Sequence, residues 1–300
     1  MWENLRKDIQ SGNIKVLARV LSLLENETAG YENFMQSLQL QHPARVIGIT
    51  GPPGAGKSTL TDALIGTLLA VDRKVAVLCV DPSSPFHLGA LLGDRIRMNQ
   101  WYAHPKVFIR SLASRGSLGG LHPKMLEMTD VLKEAGFDDI IIETVGVGQS
   151  EVEIAGLADT TVVVLVPEAG DEIQTMKAGL MEIADIFVVN KADRPGADVF
   201  IKNLQHMLMP TTAKSGWKTA VISTIATNGT GIAELMNAIN AHAAVLQTTE
   251  RKLWLIADKA YRLLQQKCMK GIRRSQLKEQ LTKSIQQPGF NLYQWVEKIL

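Results

Sequence analysis

The chain has 300 residues, of which 46% are hydrophobic and 21% charged, and its formal net charge is +2. This is ordinary globular composition with enough length for a large core, and the near-balanced charge gives no reason to expect nucleic acid or an anionic membrane as partner. Two cysteines, Cys79 and Cys268, stand far apart, so neither a disulfide framework nor a Cys-rich metal motif is expected, which suits a reducing cytosol.

The N-terminal stretch "MWENLRKDIQSGN" has no apolar segment after a basic start, so no secretory leader is expected. No apolar run reaches the roughly 18 residues of a membrane span. A cytoplasmic protein that does not cross a membrane is expected. Ile14, Leu17, Ala18, Leu21 and Leu24 recur at helical spacing, and His42-Pro43 ends that stretch. Residues 1–43 read as an N-terminal helical extension.

From Arg45 the texture changes. The runs "RVIGIT", "KVAVLCV", "KVFI", "DIIIE", "TTVVVLV", "DIFVVN" and "KTAVIS" follow one another, most of them separated by helix-length stretches. Continuous apolar strands alternating with helices predict a mostly parallel sheet covered on both faces. The expected fold class is α/β, a doubly wound domain over residues 44–245.

The first run leads into "ITGPPGAGKST" and then a helical stretch. The sequence matches G-x-x-x-x-G-K-[ST], the loop whose backbone N–H groups cradle phosphates ahead of a helix N-terminus. The nucleotide-contacting candidates are Gly51, Pro52, Pro53, Gly54, Ala55, Gly56, Lys57, Ser58 and Thr59. Lys57 would reach the β- and γ-phosphates, and Ser58 would offer its hydroxyl to Mg²⁺.

"VLCVDPSSP" puts Asp81 at a strand end, "LLGDRIRM" puts Asp94 in a loop, and Glu143 closes another strand. Ligands of open α/β sheets bind at the carboxyl ends of the strands, so these acids could converge on Mg²⁺ directly or through its waters. After Glu143 comes "TVGVGQ". Gly146 can turn its N–H to a γ-phosphate, but Val147 stands where many GTPases have a water-positioning glutamine. Gln149 lies two residues further on. Such a switch should hydrolyse its nucleotide slowly alone and faster once a partner or second subunit completes the site.

"IFVVNKAD" ends a strand on Asn190, with Lys191 and Asp193 following. A carboxylate at Asp193 can pair with N1–H and the exocyclic amino group of guanine, whereas adenine would offer it a lone pair at N1. Asn190 would tie the base-binding loop together, and Lys191 would lie along the base. "ISTIATNGTGI" suggests a second base-contacting loop at Ser223, Thr224 and Ile225, or equally a Ser/Thr-rich turn before a helix. The bound nucleotides are therefore GTP and GDP.

Beyond about 245 the pattern is helical again, with Leu253, Ile256, Ala260, Leu263, Leu264, Leu277, Leu281 and Ile285 as its apolar positions. The basic residues here, Arg251, Lys252, Arg273 and Arg274 among them, read as a solvated face, because no aromatics interleave them as a base-stacking surface needs. An apolar stripe this long needs a covering surface. Residues 246–300 are expected to form a dimerisation segment.

The spaced set "GPPGAGKST", "VDPSSPF", "LGDRIRM", "RSLASRGSLGGL", "ETVGVGQSEVEIA" and "PEAGDEIQTMKAGLMEIADIFVVNKAD" resembles the MeaB/ArgK family of P-loop GTPases over about residues 44–240. The resemblance implies a homodimeric GTPase that chaperones adenosylcobalamin-dependent methylmalonyl-CoA mutase, gating cofactor loading and protecting or reactivating the mutase. An older family name, a kinase linked to periplasmic lysine/arginine/ornithine transport, gives an alternative. Metal insertion is another, although the six scattered histidines form no tract. Carried over, the catalytic set is Lys57, Asp94 and Glu143, and the magnesium-side acids are Asp81, Asp94 and Glu143. Switch II is Glu143 to Glu153. A segment from Glu168 to Lys177, with Asp171, Glu172, Gln174 and Lys177, couples nucleotide state to the partner. One departure stands before Asp94: Phe86-His87-Leu88-Gly89 replaces a run richer in glycine, which should stiffen that loop.

Overall fold

The computed structural model describes residues 1–81, 98–113, 121–144, 153–169, 178–208, 216–246, 250–269, 271–272, 274–286, 289–297 and 299. Three helices come first: α1 (Trp2–Gln10), α2 (Ile14–Glu25) and α3 (Tyr31–Ser37). Asn13 caps α2, its side-chain oxygen accepting from the Val16 N–H. Then β1 (Arg45–Thr50), α4 (Lys57–Ala70), β2 (Val75–Asp81), β3 (Val107–Ala113), α5 (Met125–Glu134), β4 (Asp139–Glu143) and β5 (Thr160–Leu165) follow. The chain continues through α6 (Ala178–Ile183), β6 (Ile186–Asn190), α7 (Ala197–Leu208), β7 (Ala220–Thr224) and α8 (Ile232–Leu246).

All seven strands are parallel, in the order β3-β2-β4-β1-β5-β6-β7. The central strands β1, β4, β5 and β6 are buried almost throughout, as continuous Val/Ile runs demand, while edge strand β7 is half exposed. Alternate residues feed the two faces. Ile47, Ile49, Val75, Val77 and Ile141 pack with Leu60, Leu64 and Leu68 of α4 and Leu235 and Ile239 of α8. On the other face, Val46, Ala76, Leu78, Ile140 and Ile142 pack with α5 and with Leu17, Val20, Leu21 and Leu24 of α2. The expected doubly wound sheet is therefore present, and the N-terminal helices share its core.

A polar hub fixes those helices. The Glu134 carboxylate accepts from Arg6 Nε at 2.8 Å, Gln10 Nε2 at 2.7 Å, and the N–H groups of Gln39 and Leu40 at 3.0 and 3.1 Å. Burial works against the charge, but these donors outweigh it and hold the carboxyl below the usual carboxylate range.

The chain divides into two compact units, Met1–Leu255 and Ile256–Leu300. Helix α9 (Glu250–Cys268) contains the division, and α10 (Arg274–Ser284) and α11 (Leu292–Glu297) complete the second unit. Its apolar side chains Ile256, Leu264, Ile285 and Tyr293 are exposed. Cys79, by contrast, is a small core residue at 1% exposure. Among the described residues no helix is long and apolar enough to cross a membrane.

Candidate nucleotide site

The first strand end, at Thr50, opens directly into the glycine loop, and α4 begins at Lys57. Two glycines make the turn possible. Gly51 has φ +138°, and a Cβ there would lie 2.1 Å from the Val164 carbonyl oxygen of β5. Gly56 has φ +89°, and a Cβ there would lie 2.3 Å from Asn190 Nδ2. No L side chain fits either place. Helix α4 begins where that turn ends, and a helix N-terminus is a place that favours anions. Lys57 is 7% exposed, and its Nζ donates to the carbonyls of Gly51 at 2.8 Å and Pro52 at 3.0 Å.

Glu143, the last residue of β4, is 5% exposed. One carboxylate oxygen accepts from Ser58 Oγ at 2.6 Å and the other from Thr61 Oγ1 at 2.9 Å. Ser58 and Glu143 are hard oxygen donors, which fits a hard cation. Among the described residues no three His, Cys, Asp or Glu side chains form a metal cage. Mg²⁺ sites seldom need one, because phosphates and water supply most of the shell. Asp81 is the last residue of β2, the neighbour of β4 in the sheet.

Asn190 joins three segments. Its Nδ2 donates to the Ala55 carbonyl at 2.9 Å, and its Oδ1 accepts from Thr224 Oγ1 and the Ala226 N–H, each at 3.1 Å. Lys191 sits in the left-handed region at φ +56°. Its Nζ donates to the Gly54 carbonyl at 2.8 Å, so the chain after β6 is fastened to the glycine loop. The Ala192 N–H donates to the Thr224 carbonyl. Asp193 is exposed, and no described residue donates a hydrogen bond to its carboxylate. Arg194 pairs instead with Glu168, whose carboxyl that hydrogen bond holds below the usual range.

The structure thus brings Gly51–Ser58, Glu143, Asn190 and Lys191 together at the carboxyl edge of β1, β4 and β6. Ser223 and Thr224 end β7 rather than standing in a loop, and Ile225 makes a bridge to Thr230 across the turn that follows. Asp94, Gly146, Gln149, Asp171, Glu172, Gln174 and Lys177 lie outside the described residues. Three further residues enter the site unannounced by any motif. Thr61 holds Glu143, and Thr144 Oγ1 donates to Thr50 Oγ1 at 2.8 Å, joining the entry of the glycine loop to the chain after β4. For Thr61 the signal was available: it lies three residues after Ser58, on the same helix face.

The family model described as methylmalonyl Co-A mutase-associated GTPase MeaB matches residues 17–281. The chain belongs to the MeaB family of GTPases. It is accordingly a GTP-hydrolysing enzyme, and the family implies that it binds guanine nucleotide. A relative from Pyrococcus horikoshii is 47% identical over 249 residues, covering 82% of this chain and 78% of its own. The fused isobutyryl-CoA mutase of Geobacillus kaustophilus is 39% identical over 201 residues, which cover 63% of this chain and only 18% of that protein. A crystal structure described as an LAO/AO transport system kinase aligns over 99% of this chain and 95% of its own with a TM-score of 0.70; at 24% identity this is a likeness of fold.

Proposed function

We propose that this GTPase is a chaperone of adenosylcobalamin-dependent methylmalonyl-CoA mutase, gating cofactor loading and protecting or reactivating the mutase. The observation that carries the reading is the family match over residues 17–281, strengthened by a relative in which a homologous segment is fused to an acyl-CoA mutase. The acting form is a homodimer joined through residues 246–300, whose exposed apolar positions support the need for a cover. It works in the cytoplasm, apart from nucleic acid and membranes.

The site chemistry follows from the residues. Lys57 leaves the carbonyls of its own loop for the β- and γ-phosphates, which are stronger acceptors. Gly51 and residues 54–59 wrap the phosphates with main-chain N–H groups, joined by the Thr59 hydroxyl, while Pro52 and Pro53, which have no N–H, shape the loop. Asp193 pairs with the guanine edge, while Asn190 and Lys191 hold the base segment against the glycine loop. Ser223, Thr224 and Ile225 flank the base. Ser58 and Glu143, with Asp81 and Asp94, would hold Mg²⁺, which supplies charge neutralisation at the transferring phosphate. Asp94 joins Lys57 and Glu143 in the catalytic set. Gly146 reads the γ-phosphate, and Gln149, Asp171, Glu172, Gln174 and Lys177 pass its presence to the partner. With Val147 unable to orient water, turnover alone is slow and the partner accelerates it.

A kinase linked to amino-acid transport fits less well, because an Asp193 carboxylate repels the N1 lone pair of adenine. Metal insertion lacks a His or Cys tract. The test is capture from native cytosol on the immobilised protein, with and without a non-hydrolysable GTP analogue. Nucleotide-dependent recovery of methylmalonyl-CoA mutase is expected. Its absence under both conditions, with purified mutase also failing to bind, would overturn the reading.

A further inference from the structure

The Glu143 carboxylate is gripped twice from one side. Ser58 and Thr61 stand three residues apart on α4, so both hydroxyls project from one helix face. Each takes a different oxygen, at 2.6 and 2.9 Å. Thr61 is fully buried at 0% exposure. Its Oγ1 also lies 3.0 Å from the Lys57 carbonyl, but a hydroxyl has one proton. A carboxylate is the stronger acceptor, so the proton goes to Glu143 and the carbonyl contact is secondary.

We propose that Thr61 is a positioning residue for GTP hydrolysis, fixing the plane of the Glu143 carboxylate so that Ser58 is presented correctly to the magnesium–nucleotide complex. The proposal rests on the magnesium reading given above. The torsion that turns a Glu carboxylate is broad and nearly two-fold, so each added donor on a different oxygen narrows it. Two donors on two oxygens lock it. With the plane locked, Ser58 gives its proton to Glu143 and keeps its lone pairs for the cation. Without Thr61 one donor to the second oxygen is lost, the carboxylate plane is held less firmly, and the Ser58 hydroxyl is directed less sharply. Thr61 lies beyond the G-x-x-x-x-G-K-[ST] motif, which ends at Ser58, so the motif alone assigns it nothing.

The test compares wild type with Thr61→Val, Thr61→Ala and Thr61→Ser. The first readout needs no turnover: release of a fluorescent GDP is followed while Mg²⁺ is titrated, and the Mg²⁺ concentration for half-maximal slowing is recorded. The second is kcat and KM for GTP at saturating Mg²⁺. Thr61→Val and Thr61→Ala should need about tenfold more Mg²⁺, the scale of one hydrogen bond to a charged group, with Mg²⁺-free GDP affinity within about twofold of wild type. Thr61→Ser should match wild type in both readouts. Alanine keeps the comparison open if valine does not fold. A wild-type Mg²⁺ half-point in both hydroxyl-free variants overturns the proposal, as does a serine variant as impaired as valine. A wild type whose GDP release ignores Mg²⁺ overturns the magnesium reading itself, which separates that failure from failure of Thr61 alone.

Discussion

Asn190→Ala removes a side chain that joins the glycine loop to the end of β7 and the segment after it. Asn190 is 2% exposed and makes hydrogen bonds with Ala55, Thr224 and Ala226. Each such bond contributes about 1 kcal/mol net, and a buried partner left unpaired costs as much again or more, so the variant should lose about 3 kcal/mol. Part of that loss appears as stability, read as the urea midpoint. The rest appears as weaker nucleotide binding, because the Ala55 carbonyl and the Ala226 N–H no longer share an anchor. Tenfold weaker binding corresponds to about 1.4 kcal/mol. The decisive feature is symmetry between nucleotides. The hydrogen-bond partners of Asn190 among the described residues are Ala55, Thr224 and Ala226, so a fluorescent-nucleotide titration should show GDP and GTP weakened by the same factor. A stability change under about 0.5 kcal/mol would refute the reasoning, since it would mean that these buried bonds are replaced without cost. Weakening of GTP with GDP untouched would also refute it.

Asp193→Asn should weaken GTP by at least about a hundredfold and improve xanthosine triphosphate, because an amide donates to the extra oxygen of xanthine; calorimetry with both nucleotides and with ATP checks it, and equal ATP and GTP affinity in wild type would remove the guanine assignment. Glu134→Gln should destabilise the fold by about 2 kcal/mol at neutral pH, since Arg6 and two backbone N–H groups lose a charged acceptor. The Glu134 carboxyl titrates below its ordinary 4.5 in the fold, so its stabilisation is complete above that value and fades as pH falls through the lower folded one. The gap between wild type and variant in urea midpoint should therefore close on acidification, and a gap independent of pH would contradict the hub. Deleting residues 250–300 should convert a dimer into monomers or aggregates in light scattering; a monomeric full-length protein, or an intact dimer after deletion, would reject the dimerisation segment.

The strands were legible because their chemistry is local. "TTVVVLV" and "IFVVN" are continuous β-branched and apolar runs, and such runs survive only between two covered faces. The glycine loop was legible for a related reason: Gly51 and Gly56 stand where a Cβ would strike Val164 or Asn190, so spacing alone carried the signal. The docking of the N-terminal helices was not legible. Their periodicity announces helices, but the contact of Arg6 and Gln10 with Glu134 joins residues more than a hundred positions apart and has no pattern along the chain. The second base segment was only half legible, since Ser223 and Thr224 belong to β7 and what reaches Asn190 is the Thr224 hydroxyl and the Ala226 backbone. Thr61 escaped because it belongs to no motif, although its helical spacing from Ser58 pointed to the same carboxylate.

The central claim is that this MeaB-family GTPase is a slow switch completed by an acyl-CoA mutase. Steady-state GTP turnover should therefore be measured while methylmalonyl-CoA mutase is titrated into the full-length protein. The account predicts a low rate alone and a saturable rise with mutase, and Gln174→Ala with Lys177→Ala should remove the rise while sparing the low rate. A turnover that stays flat across the titration, with complex formation confirmed, would contradict it.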